Sequence, residues 1–215
     1  MTWWTYLFPR IVARLSTPYN HDIRILEEAG RYKLLVDGTR QSGTYITSLW
    51  EDVFRTFGIT DGNALRKILV LGVAGGSVIH LLHKLFPKAE ITGVDIDPVM
   101  VDIGKKYFSV SSIAGLTIVI ADANEFVKAE TDKKDRFDLV IVDVFWGRHI
   151  PPFVSEEQFL LKLKKLIGPP GKIIINYLRE NEYHELGNIL LDKLSRIFHS
   201  VSDREIFLNR FFMVS

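Results

Sequence analysis

Residues 67–77 read Lys-Ile-Leu-Val-Leu-Gly-Val-Ala-Gly-Gly-Ser, and the run SVIHLLHKLF (77–86) follows without a break. KILVLG is apolar without alternation, which predicts a strand buried on both faces of a parallel sheet. The next ten residues carry apolar side chains at helical spacing, and Pro87 stands just beyond them. A strand that passes through small residues straight into a helix is the opening unit of an α/β sheet.

The pattern repeats downstream. EITGVDI (90–96) is a predicted strand, and Asp97-Pro98 supplies an N-cap and an N1 proline for the helix VMVDIGKKYF. LTIVIA (116–121) and FDLVIVDVF (137–145) are strands, with the helix DANEFVKAE (122–130) between them. Ser155-Glu156-Glu157-Gln158 has the form of a capping box opening a helix that runs to about Ile167. Gly168-Pro169-Pro170-Gly171 is expected to break the chain before the strand KIIINYL (172–178). A helix over 182–198 and a closing pair of strands over 204–215, joined near Asn209, complete it. Repeated strand and helix predict a doubly wound, mostly parallel sheet with helices on both faces, an α/β Rossmann-like fold.

Upstream the reading differs. DIRILEE (22–28) and RYKLLVDG (31–38) alternate like paired strands, TRQSGTYIT (39–47) is a third, and LWEDVFRTFGI (49–59) is helical. TDGNA (60–64) is a polar joint. The expected division is therefore 1–60, an N-terminal helix and small β unit, and 61–215, a nucleoside-binding Rossmann-like domain. The first residues, MTWWTYLFPRIVARLS, lack the pattern of a signal peptide. Their apolar stripe, Trp3, Trp4, Tyr6, Phe8, Ile11, Val12 and Leu15, is expected to pack on the core or on a second subunit, with contact to a membrane surface as the alternative, which makes a homodimer one expected arrangement.

Composition narrows the function. The 215 residues carry 27 Lys and Arg against 26 Asp and Glu, a net charge of +1. Such balance excludes nucleic-acid binding by bulk charge. No stretch reaches the roughly 20 apolar residues of a membrane span. The absence of cysteine excludes a disulfide framework and a cysteine nucleophile, and fits a cytoplasmic location. His80 and His83 have metal-binding spacing but gain no third ligand, so no metal site is expected.

Ligands of doubly wound sheets bind where strands end. The first such end is Gly72-Val73-Ala74-Gly75-Gly76-Ser77, whose small residues let a ligand approach the backbone and the helix N-terminus. It departs from the dinucleotide G-x-G-x-x-G and lies closer to the G-x-G-x-G turn of nucleoside-binding methyltransferases, with Ala74 in the middle place. Asp95, about 20 residues on, stands where a carboxylate holds ribose hydroxyls, and Ile96 follows it. Asp122 is suited to an adenine amine, or to capping its helix with Glu125, and Ala123 leaves room for a ring. Asp143 ends the fourth strand at the switch point, where it can orient a nucleophile or take a proton. Phe145 and Trp146 are candidate walls, and Asn176 and Tyr177 further candidates.

Together these residues resemble the spermidine synthase family of polyamine aminopropyltransferases, relatives of the class I S-adenosylmethionine methyltransferases. The resemblance covers roughly residues 18 to 165 and is carried by ILVLGVAGGS, ITGVDIDPVMVDIGKKYF and DRFDLVIVDVF followed by IPPFVSEEQFL. It implies the class I methyltransferase fold and S-adenosylmethionine, or its decarboxylated form, as cofactor. It assigns the glycine loop to Gly72–Ser77, including Gly75 and Gly76, the ribose acid to Asp95, the adenine contact to Asp122 and the catalytic acid to Asp143. The family's cofactor-side Gln falls on Gln41. The amine-binding acids are replaced: the loop acid by Gly75, the second acid of Asp-x-x-Asp by Trp146, and an acidic pair by Ile46-Thr47, with Glu51 retained. The expected function is a methyltransferase acting on a small-molecule nucleoside cofactor and an acceptor the sequence does not name. An aminopropyltransferase with an altered amine pocket and a catalytically silent binding protein are the alternatives.

Overall fold

In the computed structural model, which describes residues 8–215, the loop of residues 72–77 lies at the centre of a seven-stranded sheet. Strand β5 (Lys67–Leu71) is flanked on one side by β6 (Glu90–Asp95) and then β7 (Leu116–Ile120), and on the other by β8 (Phe137–Val142) and β9 (Ile167–Leu178), all parallel. β11 (Asn209–Val214) runs antiparallel to β9, and β10 (Val201–Ile206) closes the edge. The order β10-β11-β9-β8-β5-β6-β7 reverses between β5 and β8, so the ends of these two strands frame the switch point.

Alternate residues explain both packed faces. Ile68, Val70, Leu139, Ile141 and Ile174 turn toward α1 (Thr44–Thr56) and α2 (Ser77–Leu85). Leu69, Leu71, Val140, Val142, Ile173 and Ile175 turn toward α4 (Ala123–Glu130), α5 (Glu157–Leu166) and α6 (Glu182–Ile197). A second, antiparallel sheet holds β1 (Arg10–Leu15), β2 (Ile23–Glu28), β3 (Arg31–Val36) and β4 (Thr39–Ser42) in that order. Ile23, Ile25, Leu34 and Val36 bury its inner face against Met100 and Ile103 of α3 (Pro98–Tyr107). α1 precedes residue 60, yet its buried Leu49, Trp50, Val53 and Phe54 join the core of the large sheet.

Four local expectations are corrected. Residues 10–15 form a strand and not part of a helix, because the open edge of β2 takes up their backbone; Trp3, Trp4 and Tyr6 lie outside the described residues, and Phe8 and Ile11 are exposed. The third strand stops at Ser42, since Gly43 turns with φ +116°, and α1 starts at Thr44, which moves Ile46 and Thr47 from strand to helix. Ser155 forms no capping box: it ends a 3-10 turn, Pro152–Ser155, and its hydroxyl meets Tyr177 Oη at 3.2 Å. Residues 168–171 bulge within β9 and do not break it, for Phe137 pairs with Ile167 while Leu139 pairs with Lys172.

A buried carboxylate helps couple the two sheets. Asp97 is buried, and its Oδ1 accepts from the Val99 N–H at 3.0 Å, the expected N-cap. Its Oδ2 accepts from Thr17 Oγ1 at 2.6 Å and Asn20 Nδ2 at 2.8 Å. Asp97→Ala removes a cap and strands two buried donors, so it is expected to lower stability by about 2–4 kcal/mol in urea denaturation.

Candidate functional site

The carboxyl ends of β5, β6, β7 and β8 open into a cleft, and the sequence-predicted residues meet there. Gln41, Gly72, Ala74, Asp95, Ile96, Asp122, Ala123 and Asp143 line it, joined by Phe145 and Trp146 from the segment after β8. Gly75 and Gly76 stand behind the lining. Gly75 is pressed against β4: its N–H donates to Ser42 Oγ at 2.8 Å, and a Cβ there would lie 2.6 Å from Ser42 Cβ. A side chain at position 75 thus has no room beside Ser42, which accounts for glycine at this place. Gly76 is the left-handed N-cap of α2.

Asp95 organises the loop. Its Oδ2 accepts from the backbone N–H of Val73 at 3.0 Å and of Ala74 at 3.1 Å, and its Oδ1 from that of Asp97 at 2.9 Å. Burial raises its pKa above the ordinary carboxylate value, opposed by the N–H groups of Asp97, Ala74 and Val73. The carboxylate therefore both shapes the cradle and faces the cleft. Asp95→Ala is expected to weaken nucleoside binding by about 1.5–3 kcal/mol, the scale of a charge-assisted hydrogen bond, in isothermal titration with S-adenosylmethionine. Equal affinity in the two proteins would mean that the ribose is held elsewhere.

Asp122 performs the capping role read from sequence: its Oδ1 accepts from Asn124 N–H at 2.9 Å and Glu125 N–H at 3.0 Å. Its other oxygen accepts from no group among the described residues, which leaves it available to a donor on a bound ring. Gln41 reaches across toward the segment after β8, with Nε2 3.5 Å from the Gly147 carbonyl.

Asp143 sits at the floor of the cleft. Its backbone N–H donates to the Leu71 carbonyl at 2.8 Å, which fixes β8 against β5. Its Oδ1 accepts from Asn176 Nδ2 at 2.8 Å. Burial pushes its pKa up to about 6, against the opposing donors Asn176 and Trp50. Such a carboxyl is poised to exchange a proton near neutrality.

Tyr19, Asn20, Met100 and Phe153 also line the cleft, and the sequence reading did not place them there. A Thr17–Asn20 turn holds the first two, with the Asn20 N–H on Thr17 Oγ1 at 3.0 Å. The Thr-x-x-Asn pattern signals such a turn. Its anchor, Asp97, lies 77 residues from Asn20, which no local pattern reveals. Other candidates lie away from the cleft. Tyr177 is buried beside Ser155, His149 stands 3.4 Å from Tyr183 Oη, and His80 meets the Phe108 carbonyl.

Residues 51–208 match the family described as the spermine/spermidine synthase domain, well over half of the sequence. The chain belongs to this family. Among its relatives is the polyamine aminopropyltransferase of Vibrio vulnificus (strain CMCP6), 29% identical over 119 residues, covering 55% of this chain and 40% of that protein. The eEF1A lysine and N-terminal methyltransferase homolog of Drosophila melanogaster is 32% identical over 143 residues, 63% of this chain and 21% of that one. The chain thus spans less than half the length of these two relatives. Among solved structures, human methyltransferase-like protein 13 in complex with SAH superposes with a TM-score of 0.67 at 24% identity, covering 80% of both chains. A spermidine synthase in complex with the transition state analogue AdoDATO gives 0.74 at 15% identity, covering 96% of this chain and 72% of that one. Both share the α/β fold with its mostly parallel sheet. Among the described residues, no helix is long and apolar enough to cross a membrane.

Proposed function

We propose that this chain is an S-adenosylmethionine-dependent methyltransferase acting on a nitrogen acceptor, with Asp143 as the residue that orients the acceptor and takes its proton. The observation that carries the reading is the distribution of acid in the cleft. Asp95 and Asp122 belong to the nucleoside end, on β6 and β7, and Asp143 is the single carboxylate that lines the cleft beside β8 among the described residues. Trp146 is 43% exposed where the family pattern has its second acid. Glu51, Glu156 and Glu157 are exposed and do not line the cleft, so none substitutes for it.

A diamine needs more. Free alkylamines have a pKa near about 10.4, so one end must lose its proton while the other stays gripped as a cation. An ammonium buried without a partner costs several kcal/mol. One carboxylate suffices for a single amine attacking a methyl group. The similarity to a lysine and N-terminal methyltransferase homolog supports a nitrogen acceptor.

The residues fit the cofactor. The loop around Gly72 and Ala74 offers bare backbone, Asp95 an acceptor for ribose hydroxyls, and Asp122 a free oxygen beside small Ala123. S-adenosylmethionine supplies a methyl group on a sulfonium, already a good leaving group. The protein's part is positioning: Gln41, Phe145 and Trp146 bound the transfer end, and Asp143 receives the proton the amine gives up. The absence of cysteine supports a reducing compartment, the cytoplasm.

Two measurements test this together. Isothermal titration is expected to detect S-adenosylmethionine binding. Incubation with decarboxylated S-adenosylmethionine and putrescine is expected to release no 5′-methylthioadenosine. Turnover near about 1 s⁻¹, within the ordinary enzyme range, would restore the aminopropyltransferase reading.

A further inference from the structure

Behind Asp143 lies a pair of amides that do not line the cleft. Asn176 Nδ2 donates to Asp143 Oδ1 at 2.8 Å, and Asn176 Oδ1 accepts from Asn209 Nδ2 at 2.8 Å. Asn176 is 6% exposed near the end of β9, and Asn209 opens the neighbouring antiparallel strand β11. The direction of the chain is dictated by chemistry. A carboxylate only accepts, so Asn176 must turn its NH2 group toward Asp143, and its oxygen then faces Asn209, which must present NH2.

We infer that Asn176 and Asn209 are positioning residues, a two-amide chain from the antiparallel edge of the sheet that holds Asp143 as a hydrogen-bond acceptor and keeps its exchangeable proton on the cleft side. The inference rests on the proposed role of Asp143. A protonated Asp143 can donate inward only if the Asn176 amide turns over. That turn sets its NH2 against the NH2 of Asn209. Asn209 therefore opposes inward protonation although it does not touch Asp143, and the anionic form is favoured against the cost of burial.

The surroundings leave this chain in control. The Asp143 carboxyl faces Trp50 from α1 and Asn176 from β9, while its backbone N–H is held by the Leu71 carbonyl of β5. Among the described residues the titratable groups that share the cleft with Asp143 are Tyr19, Asp95 and Asp122, and the causes of its raised pKa are burial, opposed by Asn176 and Trp50.

The test reads the carboxyl itself and needs no acceptor. The full chain is labelled with carboxyl-13C aspartate, and the Asp143 signal is assigned by its loss in Asp143→Asn. The titration midpoint is expected to rise by about one pH unit in Asn176→Leu, the size of effect that follows loss of a hydrogen bond to the charged form. It is expected to rise by a smaller, resolved step in Asn209→Leu. Asn209→Asp should raise it more than Asn209→Leu, because a carboxylate at 209 turns the Asn176 amide over. Circular dichroism identifies variants that keep the fold, and Asn209→Leu, partly exposed and at a strand start, carries the test if Asn176→Leu does not fold. A folded Asn209→Leu protein with an unmoved midpoint overturns the inference. Absence of S-adenosylmethionine binding in the unmutated chain would instead defeat the proposed function, and the titration would stand apart from it.

Discussion

Asp143→Asn is expected to abolish the proposed methyl transfer and to stabilise the protein in the same step. The activity loss should reach about 10²–10⁴-fold, the usual contribution of a positioned acid or base. Affinity for S-adenosylmethionine should change little, since the proposed reading gives the ribose and ring contacts to Asp95 and Asp122. The stability gain follows from proton linkage. The folded pKa of about 6 lies above the ordinary value of 3.8. Between those values the folded state binds more protons than the unfolded one, so stability falls as pH rises from about 4 to 6. Above that window the buried charge carries its whole cost, about 3 kcal/mol for a shift of roughly two pH units. Asparagine has the same shape, can turn its oxygen toward Asn176, and never carries the charge. Urea denaturation at pH 7.5 should therefore find Asp143→Asn more stable by about 1–3 kcal/mol, and the gain should vanish near pH 4. In the unmutated chain the rate of the proposed transfer should climb with pH through about 6, as the carboxyl gives up its proton. A variant that is less stable at pH 7.5 and keeps its activity would show that Asp143 is a structural residue.

The sequence made the carboxylates of this cleft legible for a physical reason. In a doubly wound sheet the ligand-facing residues are the last residues of strands, and strand ends are marked locally by where an apolar run stops. Asp95, Asp122 and Asp143 each stop one, so reading the runs placed all three at the cleft. What escaped depends on pairings between distant segments. Tyr19 enters the cleft because Thr17 and Asn20 bond to Asp97, and Asn176 matters because β11 brings Asn209 beside it. The helix expected at the N-terminus failed likewise: residues 10–15 became a strand because β2 offered them an edge, which their own periodicity did not announce. The end of β4 at Gly43 was hidden by Tyr45 and Ile46, whose strand-like character the packing of α1 against the large sheet overrode. Ser155 had the residues of a capping box, yet a 3-10 turn and the nearby Tyr177 hydroxyl claimed it.

Gly72→Ala should remove stability and, on the proposed reading, cofactor binding, and the stability loss can be separated into two causes. Gly72 sits where β5 ends, with φ +94°, and its N–H donates to the Val94 carbonyl of β6 at 2.8 Å. On its other side lies Asp143: a Cβ on residue 72 would stand 2.8 Å from the Asp143 carbonyl carbon and closer still to its oxygen. That neighbour is backbone, itself fixed by the bond from Asp143 N–H to the Leu71 carbonyl, so it cannot step aside as a flexible side chain could. Alanine must therefore prise β8 from β5 at the switch point, where the cradle and Asp143 meet. Overpacking of this kind costs about 1–3 kcal/mol or more, and the left-handed backbone adds about 1–2 kcal/mol for a residue with a side chain. Gly38→Ala isolates the second cause: Gly38 has φ +78° with nothing within 4 Å of the added carbon. Its loss should stay at that cost, about 1–2 kcal/mol, with cofactor affinity unchanged. For a chain of this length each kcal/mol lowers Tm by about 2–4 °C. Thermal melts should thus show a small drop for Gly38→Ala and a larger one for Gly72→Ala, the latter with S-adenosylmethionine binding lost. Equal drops in the two variants would mean that β5 and β8 part without cost, and that the close approach of Gly72 to Asp143 plays no role in holding the site.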